Sequence, residues 1–218
     1  MTATGARIKD QSSGTLKRVV LATGGTGGHI FPALAVAERL VADCPGCSIL
    51  FLGGERGPEG TLVRDSGIPG LSFEALPAAG VLGRGLKSLQ ALAWMTRSLR
   101  RCLGILTDFR PQVVLGLGGY AGFVPVLTAC LKRIPTAIHE QNSVPGVTNR
   151  VLARRVDRVL VSFADMEGPV FGGPKAVVTG NPVRAEIRAG IILWQQPVAS
   201  DAEARRIVTE ASRLRGMA

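Results

Sequence analysis

The chain has 218 residues, 46% of them hydrophobic, which is enough to bury a core in one large domain or a tight pair and too much for a disordered chain. With 28 glycines and only 5% aromatic residues, the composition fits an α/β protein with glycine-lined loops better than a β-sandwich. Lysine and arginine outnumber aspartate and glutamate by 26 to 16, a formal net charge of +10 that calls for an anionic partner: nucleic acid, a phosphorylated ligand or an acidic membrane surface.

Met1 to Leu16 is polar, with no apolar core and no cleavage site, so residues 1–16 are expected to be a flexible lead-in and not a secretory signal. Arg18 to Thr23 is a buried-strand run, followed by a GGTGG loop and a helical pattern over His29 to Ala42. Cys44 and Cys47 form a CxxC after that helix and before the strand Ser48 to Gly53. A thioredoxin-type motif would open a helix instead, and no second CxxC completes a zinc site, so reduced thiols are expected. A helix near Glu59 to Ser66, a weaker strand over Ser72 to Leu76 and a long helix over Gly85 to Leu106 come next. Val113 to Leu117 is a strand leading to a second glycine loop and a helix over Phe123 to Leu131. Val113 to Leu131 is uncharged, but its glycines and Pro125 suit strand, loop and helix better than a membrane span. Short strands are expected at Thr136 to Glu140, Arg158 to Val161 and Ala176 to Val178, with a helix over Val147 to Ala153. This alternation predicts a doubly wound, parallel, Rossmann-like sheet over residues 17–188. Residues 189–218 form a tail in which Ser200 and Glu203 make a capping box. Ile207, Ala211 and Leu214 mark one helical face, as of a single helix added to a finished domain.

Two glycine loops carry the chemistry. Gly24-Gly25-Thr26-Gly27-Gly28-His29 lies between a strand and a helix, where the backbone approaches a ligand closely and free N–H groups meet a phosphate or diphosphate. It lacks the Gly-Lys-Ser/Thr of a P-loop, and Ile30 stands where GxGxxG needs glycine. The second loop, Gly116-Leu117-Gly118-Gly119-Tyr120-Ala121, satisfies GxGxxA. Glu140 ends the next strand about where a ribose-binding acid lies, which makes an NAD-type site the rival reading. Against it, the motif follows a central strand and not the first. Two histidines complete the polar set: His29 at a helix start beside the first loop, where a proton acceptor is useful, and His139 in IHEQN.

The segments LATGGTGGHIFPALAVAERL, VVLGLGGYAGFVPVL, PTAIHEQNSVPGVTNRVLARRVDRV and VTGNPVRAEI together resemble the MurG family of N-acetylglucosaminyltransferases in peptidoglycan synthesis, over about Leu16 to Arg188. The resemblance implies the amino-terminal, acceptor-binding half of a GT-B fold. Its implied activity is inverting transfer of N-acetylglucosamine from UDP-GlcNAc to the 4-hydroxyl of lipid I, giving lipid II, with no metal or cofactor. It implies sugar-nucleotide contacts at Thr26, Gly27, Gly28, Asn142 and Arg184, with His29 as the base. Gly118, Gly119, Tyr120, His139 and Glu140 belong to the same substrate-binding set. Members of the family continue after NPVR into a second α/β domain, which residues 189–218 do not supply. The final helix resembles the family's terminal helix that crosses back onto the first domain. Independent catalysis is therefore not expected. The alternative function is a non-catalytic module that docks on the membrane, binds lipid-linked sugar and works with a separate donor-binding chain.

From Ala75 to Thr107 there is no acidic residue, but Arg84, Lys87, Arg97, Arg100 and Arg101 are present. On a helix, Leu89, Leu92, Leu99, Leu103 and Leu106 fall on one side, and Trp94 falls opposite, beside Lys87, Gln90, Arg97 and Arg101. A tryptophan on the basic face predicts contact of Lys87, Trp94, Arg97 and Arg101 with an anionic bilayer surface, and the family resemblance, with its lipid-linked acceptor, implies the cytoplasmic face of the plasma membrane. No nucleic-acid-binding motif accompanies the charge.

Overall fold

A computed structural model describes residues 16–25, 27–77, 89–166, 170–183 and 202–216; the side chains of 89–94 and 202 are outside that description. Seven strands form one parallel sheet: β1 (Arg18–Ala22), β2 (Ser48–Gly54), β3 (Leu71–Leu76), β4 (Val113–Gly116), β5 (Thr136–Glu140), β6 (Arg158–Val161) and β7 (Ala176–Val178). Their spatial order is β3-β2-β1-β4-β5-β6-β7, so the chain works outward in one direction from β1 and then in the other. Among the described residues the helices are α1 (Gly27–Asp43), α2 (Glu59–Asp65), α3 (Leu89–Phe109), α4 (Tyr120–Leu131), α5 (Val147–Leu152) and α6 (Ala202–Arg215).

Parallel strands covered on both faces need apolar side chains pointing both ways, and β4 and β5 are buried at every position. Alternation along β1 divides the core. Val19 and Leu21 join Ile49, Phe51, Val113 and Leu115 beneath α1, α2 and α6. Val20 and Ala22 join Leu50, Leu52, Val114 and Ile138 beneath α3, α4 and α5. Consequently α1 and α4, which follow the neighbouring strands β1 and β4, leave the sheet toward opposite faces.

Several boundaries differ from those expected. Leu16, assigned to the lead-in, is 1% exposed and belongs to the core. The helices α1 and α4 begin at Gly27 and Tyr120, two and three residues earlier than predicted, because each loop passes straight into its helix. The largest difference is α6. Ile207, Val208, Ala211 and Leu214 are buried in the same cluster as α1 and the sheet, so this helix is an integral layer and not an addition to a finished domain. Ser200, the expected cap, is outside the described residues. Among the described side chains of α3, Ser98, Cys102 and Leu106 are buried, with Met95, Leu99, Ile105 and Phe109 packed partly against the core. The predicted apolar stripe is therefore rotated, and Leu103 stands outside it.

Candidate functional site

In an open parallel sheet a crevice forms where the strand order reverses, because flanking helices diverge there. Here that point lies between β1 and β4, and both glycine loops lie at their carboxyl ends. The loops touch. A Cβ on Gly119 would overlap the Gly24 carbonyl oxygen, and Gly119 has φ of 75°. Leu117 N–H donates to the Ala22 carbonyl at 2.9 Å, which ties the second loop to the end of β1.

Neither helix start is capped by acid. The first turns of α1 and α4 carry no carboxylate, and Gly119 offers α4 no side-chain cap. First-turn N–H groups left without intrahelical partners favour an anion. Beneath the first loop, the Glu59 carboxylate is 1% exposed, and its Oε1 accepts a hydrogen bond from Gly25 N–H at 2.8 Å. Sequence reasoning passed over Glu59, because one acid at the start of a short helix gives no sign that it turns inward.

Six predicted residues, His29, Gly118, Gly119, Tyr120, Glu140 and Asn142, line one open cavity of about 270 Å³ together with Gly146, Val147, Thr148 and Asn149. His29 packs on the second loop: a Cβ on Gly118 would lie 2.8 Å from its Nδ1, so only glycine admits the ring there. Its Nδ1 is 3.2 Å from Gln141 Oε1, and Gln141 Nε2 donates to the Leu117 carbonyl at 2.9 Å. Gly27 and Gly28 begin α1 one turn or less from His29, with Gly28 exposed. Thr26 and Arg184 are outside the described residues.

Two predicted ligands have other duties. Glu140 is 1% exposed and engaged by four donors. Its Oε1 accepts from Asn142 N–H at 3.0 Å and Asn142 Nδ2 at 3.1 Å, and its Oε2 accepts from Gly146 N–H at 3.0 Å and Asn149 Nδ2 at 2.8 Å. It shapes the loop after β5 and has no oxygen left over for a ribose, which removes the acid that the NAD reading needs. His139 is wholly buried, outside the cavity lining, with Nε2 donating to the Gly180 carbonyl at 2.9 Å. Burial pushes its pKa down to about 4, so it is neutral and structural near pH 7. Its place between Ile138 and Glu140 in a strand buried on both faces explains this.

The predicted membrane residues are not all described. Lys87 and the Trp94 side chain are outside the described residues. Arg97 is exposed. Arg101 reaches back to the sheet edge, 3.6 Å from Glu55 and 3.5 Å from Glu74, so two carboxylates share its charge. Among the described residues, no helix is long and apolar enough to cross a membrane. The CxxC thiols are free and buried, Cys44 at 7% and Cys47 at 4% exposed.

A Rossmann-like sheet with two glycine loops at its switch point has the architecture in which α/β proteins bind ligands at the carboxyl ends of their strands. The pattern of the glycosyltransferase family 28 N-terminal domain matches residues 19–161, and the chain belongs to that family. It is similar to the UDP-N-acetylglucosamine–N-acetylmuramyl-(pentapeptide) pyrophosphoryl-undecaprenol N-acetylglucosamine transferase of Solidesulfovibrio magneticus, 55% identical over 172 residues, covering 79% of this chain and 45% of that protein. The protein of the same name from Nitratidesulfovibrio vulgaris strain DP4 is 53% identical over 174 residues, covering 80% and 47%. Among solved structures, MurG of Acinetobacter baumannii superposes with a TM-score of 0.64 at 31% identity, covering 84% of this chain and 50% of that one. The chain thus spans about half the length of the relatives it matches. The expected family and its GT-B-type amino-terminal fold are borne out.

Proposed function

We propose that the chain is the acceptor-binding half of an inverting N-acetylglucosaminyltransferase of peptidoglycan synthesis, with UDP-GlcNAc as donor and the lipid-linked muramoyl sugar, lipid I, as acceptor. The observation that carries this reading is the placement of His29, next to the contact between the two glycine loops, in a cavity lined by the second loop and the segment after β5. The N–H groups of the loops and of the α1 and α4 first turns hold the acceptor's diphosphate. The 4-hydroxyl oxygen of the acceptor then attacks the anomeric carbon of N-acetylglucosamine from the face opposite the nucleotide. The bond from that carbon to the UDP oxygen breaks as the new one forms, and the hydroxyl proton passes to His29. Tyr120, Asn142 and Asn149 line the same cavity and orient the sugars. Transfer needs a donor-binding surface beyond the cavity, from the same polypeptide or from another chain. The basic residues of α3 hold the molecule against the anionic cytoplasmic leaflet that carries the acceptor.

The test is calorimetric titration with a lipid I analogue bearing a short, soluble prenyl chain. Binding is expected for this chain, with UDP-GlcNAc alone binding far more weakly. Gly27→Asp puts an anion where the diphosphate belongs and should abolish acceptor binding. Undiminished binding by a folded Gly27→Asp variant would remove the loop from the site.

A further inference from the structure

We propose that Gln141 is a positioning residue that sets which ring nitrogen of His29 carries the proton. The inference rests on the reading of His29 as the base, and deepens it. The Leu117 carbonyl can only accept, so the Gln141 group 2.9 Å from it is the amide NH₂. That fixes the other end of the amide: the atom facing His29 at 3.2 Å is the carbonyl oxygen, which also can only accept. Neutral His29 therefore has its hydrogen on Nδ1, and Nε2 keeps the lone pair.

Packing supports the same arrangement. A Cβ on Gly118 would meet Nδ1 at 2.8 Å and Cε1 at 2.9 Å, so the Nδ1 edge of the ring lies against the second loop. Nε2, the ring's other nitrogen, is the one left to take a proton from a bound hydroxyl. The support is continuous: Leu117 N–H bonds to Ala22 at the end of β1, the Leu117 carbonyl holds Gln141, and Gln141 holds His29 on α1. Gln141 is buried, at 9% exposure, so water competes weakly for either end of its amide.

The chain has two histidines, and the structure gives them opposite tautomers, because His139 donates from Nε2 to Gly180. Long-range proton–nitrogen spectra of the full chain labelled at histidine nitrogen, recorded at neutral pH, read both. We expect His29 protonated at Nδ1 by about tenfold over Nε2, the ratio that one ordinary hydrogen bond sets. His139 should show the reverse pattern. In Gln141→Met, which keeps the volume and removes the acceptor, His29 should become a mixture of the two forms while His139 is unchanged and reports the fold. Nε2–H as the main form of His29 in the wild type, or an unchanged His29 pattern in Gln141→Met, would overturn the proposal. Adding the soluble acceptor analogue separates the two readings. A His29 signal with the expected tautomer that does not respond to the analogue sinks the base while leaving the Gln141 role standing.

Discussion

The Gly119 backbone packs directly on the Gly24 carbonyl, with no room for even a methyl group between them. Two loops far apart in the sequence are thereby joined beside the cavity; Gly119 must be glycine to clear the Gly24 carbonyl, and Gly24 must be glycine to clear Ala121 and Glu59.

Gly119→Ala should cost at least about 2 kcal/mol, from overlap with the Gly24 oxygen added to backbone strain at φ of 75°. Gly25→Ala is the control. Gly25 also has positive φ, 101°, but a Cβ there meets nothing within 4 Å, so only the strain of about 1 kcal/mol is expected. Urea denaturation of both variants checks the order. Equal losses would show that the loops do not touch in solution.

His139 predicts acid sensitivity. Its folded pKa, about 4, lies below the ordinary 6.5, so the unfolded chain binds the extra proton between these values. The stability from keeping this ring neutral is present above pH 6.5 and is lost as pH falls toward 4, by up to about 3 kcal/mol. Denaturation profiles from pH 7 to 4 should be steeper for the wild type than for His139→Asn. Parallel profiles would contradict the assignment.

The thiols should be slow. Burial raises Cys47 and Cys102 to about 11, and Cys130 also lies above its usual value, chiefly through burial. At pH 8, reaction of Cys47 and Cys102 in the native protein with a disulfide reagent should be about a hundredfold slower than after unfolding. Rapid native labelling of Cys47 would mark the CxxC as a redox pair after all.

Arg97 and Arg101 should differ on membranes. Arg97 is exposed, whereas Arg101 is shared by Glu55 and Glu74. Arg97→Ala should weaken co-sedimentation with anionic vesicles about fivefold, the effect of about 1 kcal/mol per basic residue near such a surface. Arg101→Ala should weaken it less. The reverse order would move the docking face around α3.

The sheet was legible in the sequence because parallel strands covered on both faces are unbroken apolar runs, as in β4 and β5. The loops were legible because clustered glycines after such runs have few other uses. Duties set by distant partners were not. His29 and Gln141 are 112 residues apart, Gly25 and Glu59 are 34 apart, and no local periodicity links them. Gln141 stood within IHEQN, beside residues that were singled out, yet only the Leu117 carbonyl shows which way its amide faces. Arg101 is expected on the membrane face because helical spacing says nothing of Glu55 and Glu74 near the sheet edge.

The position of α6 bears on how the molecule is made. Leu214, 1% exposed, covers a face whose other members include Leu16, Val19 and Leu115. During synthesis Leu16 and Val19 emerge early, and the helix that covers them emerges almost two hundred residues later. Until α6 clears the ribosome, the nascent domain carries an open apolar flank beside α1, the kind of surface that chaperones hold. Ribosomes stalled just before Ala202 should therefore display a collapsed but incompletely closed domain, which locks only when the last described helix arrives.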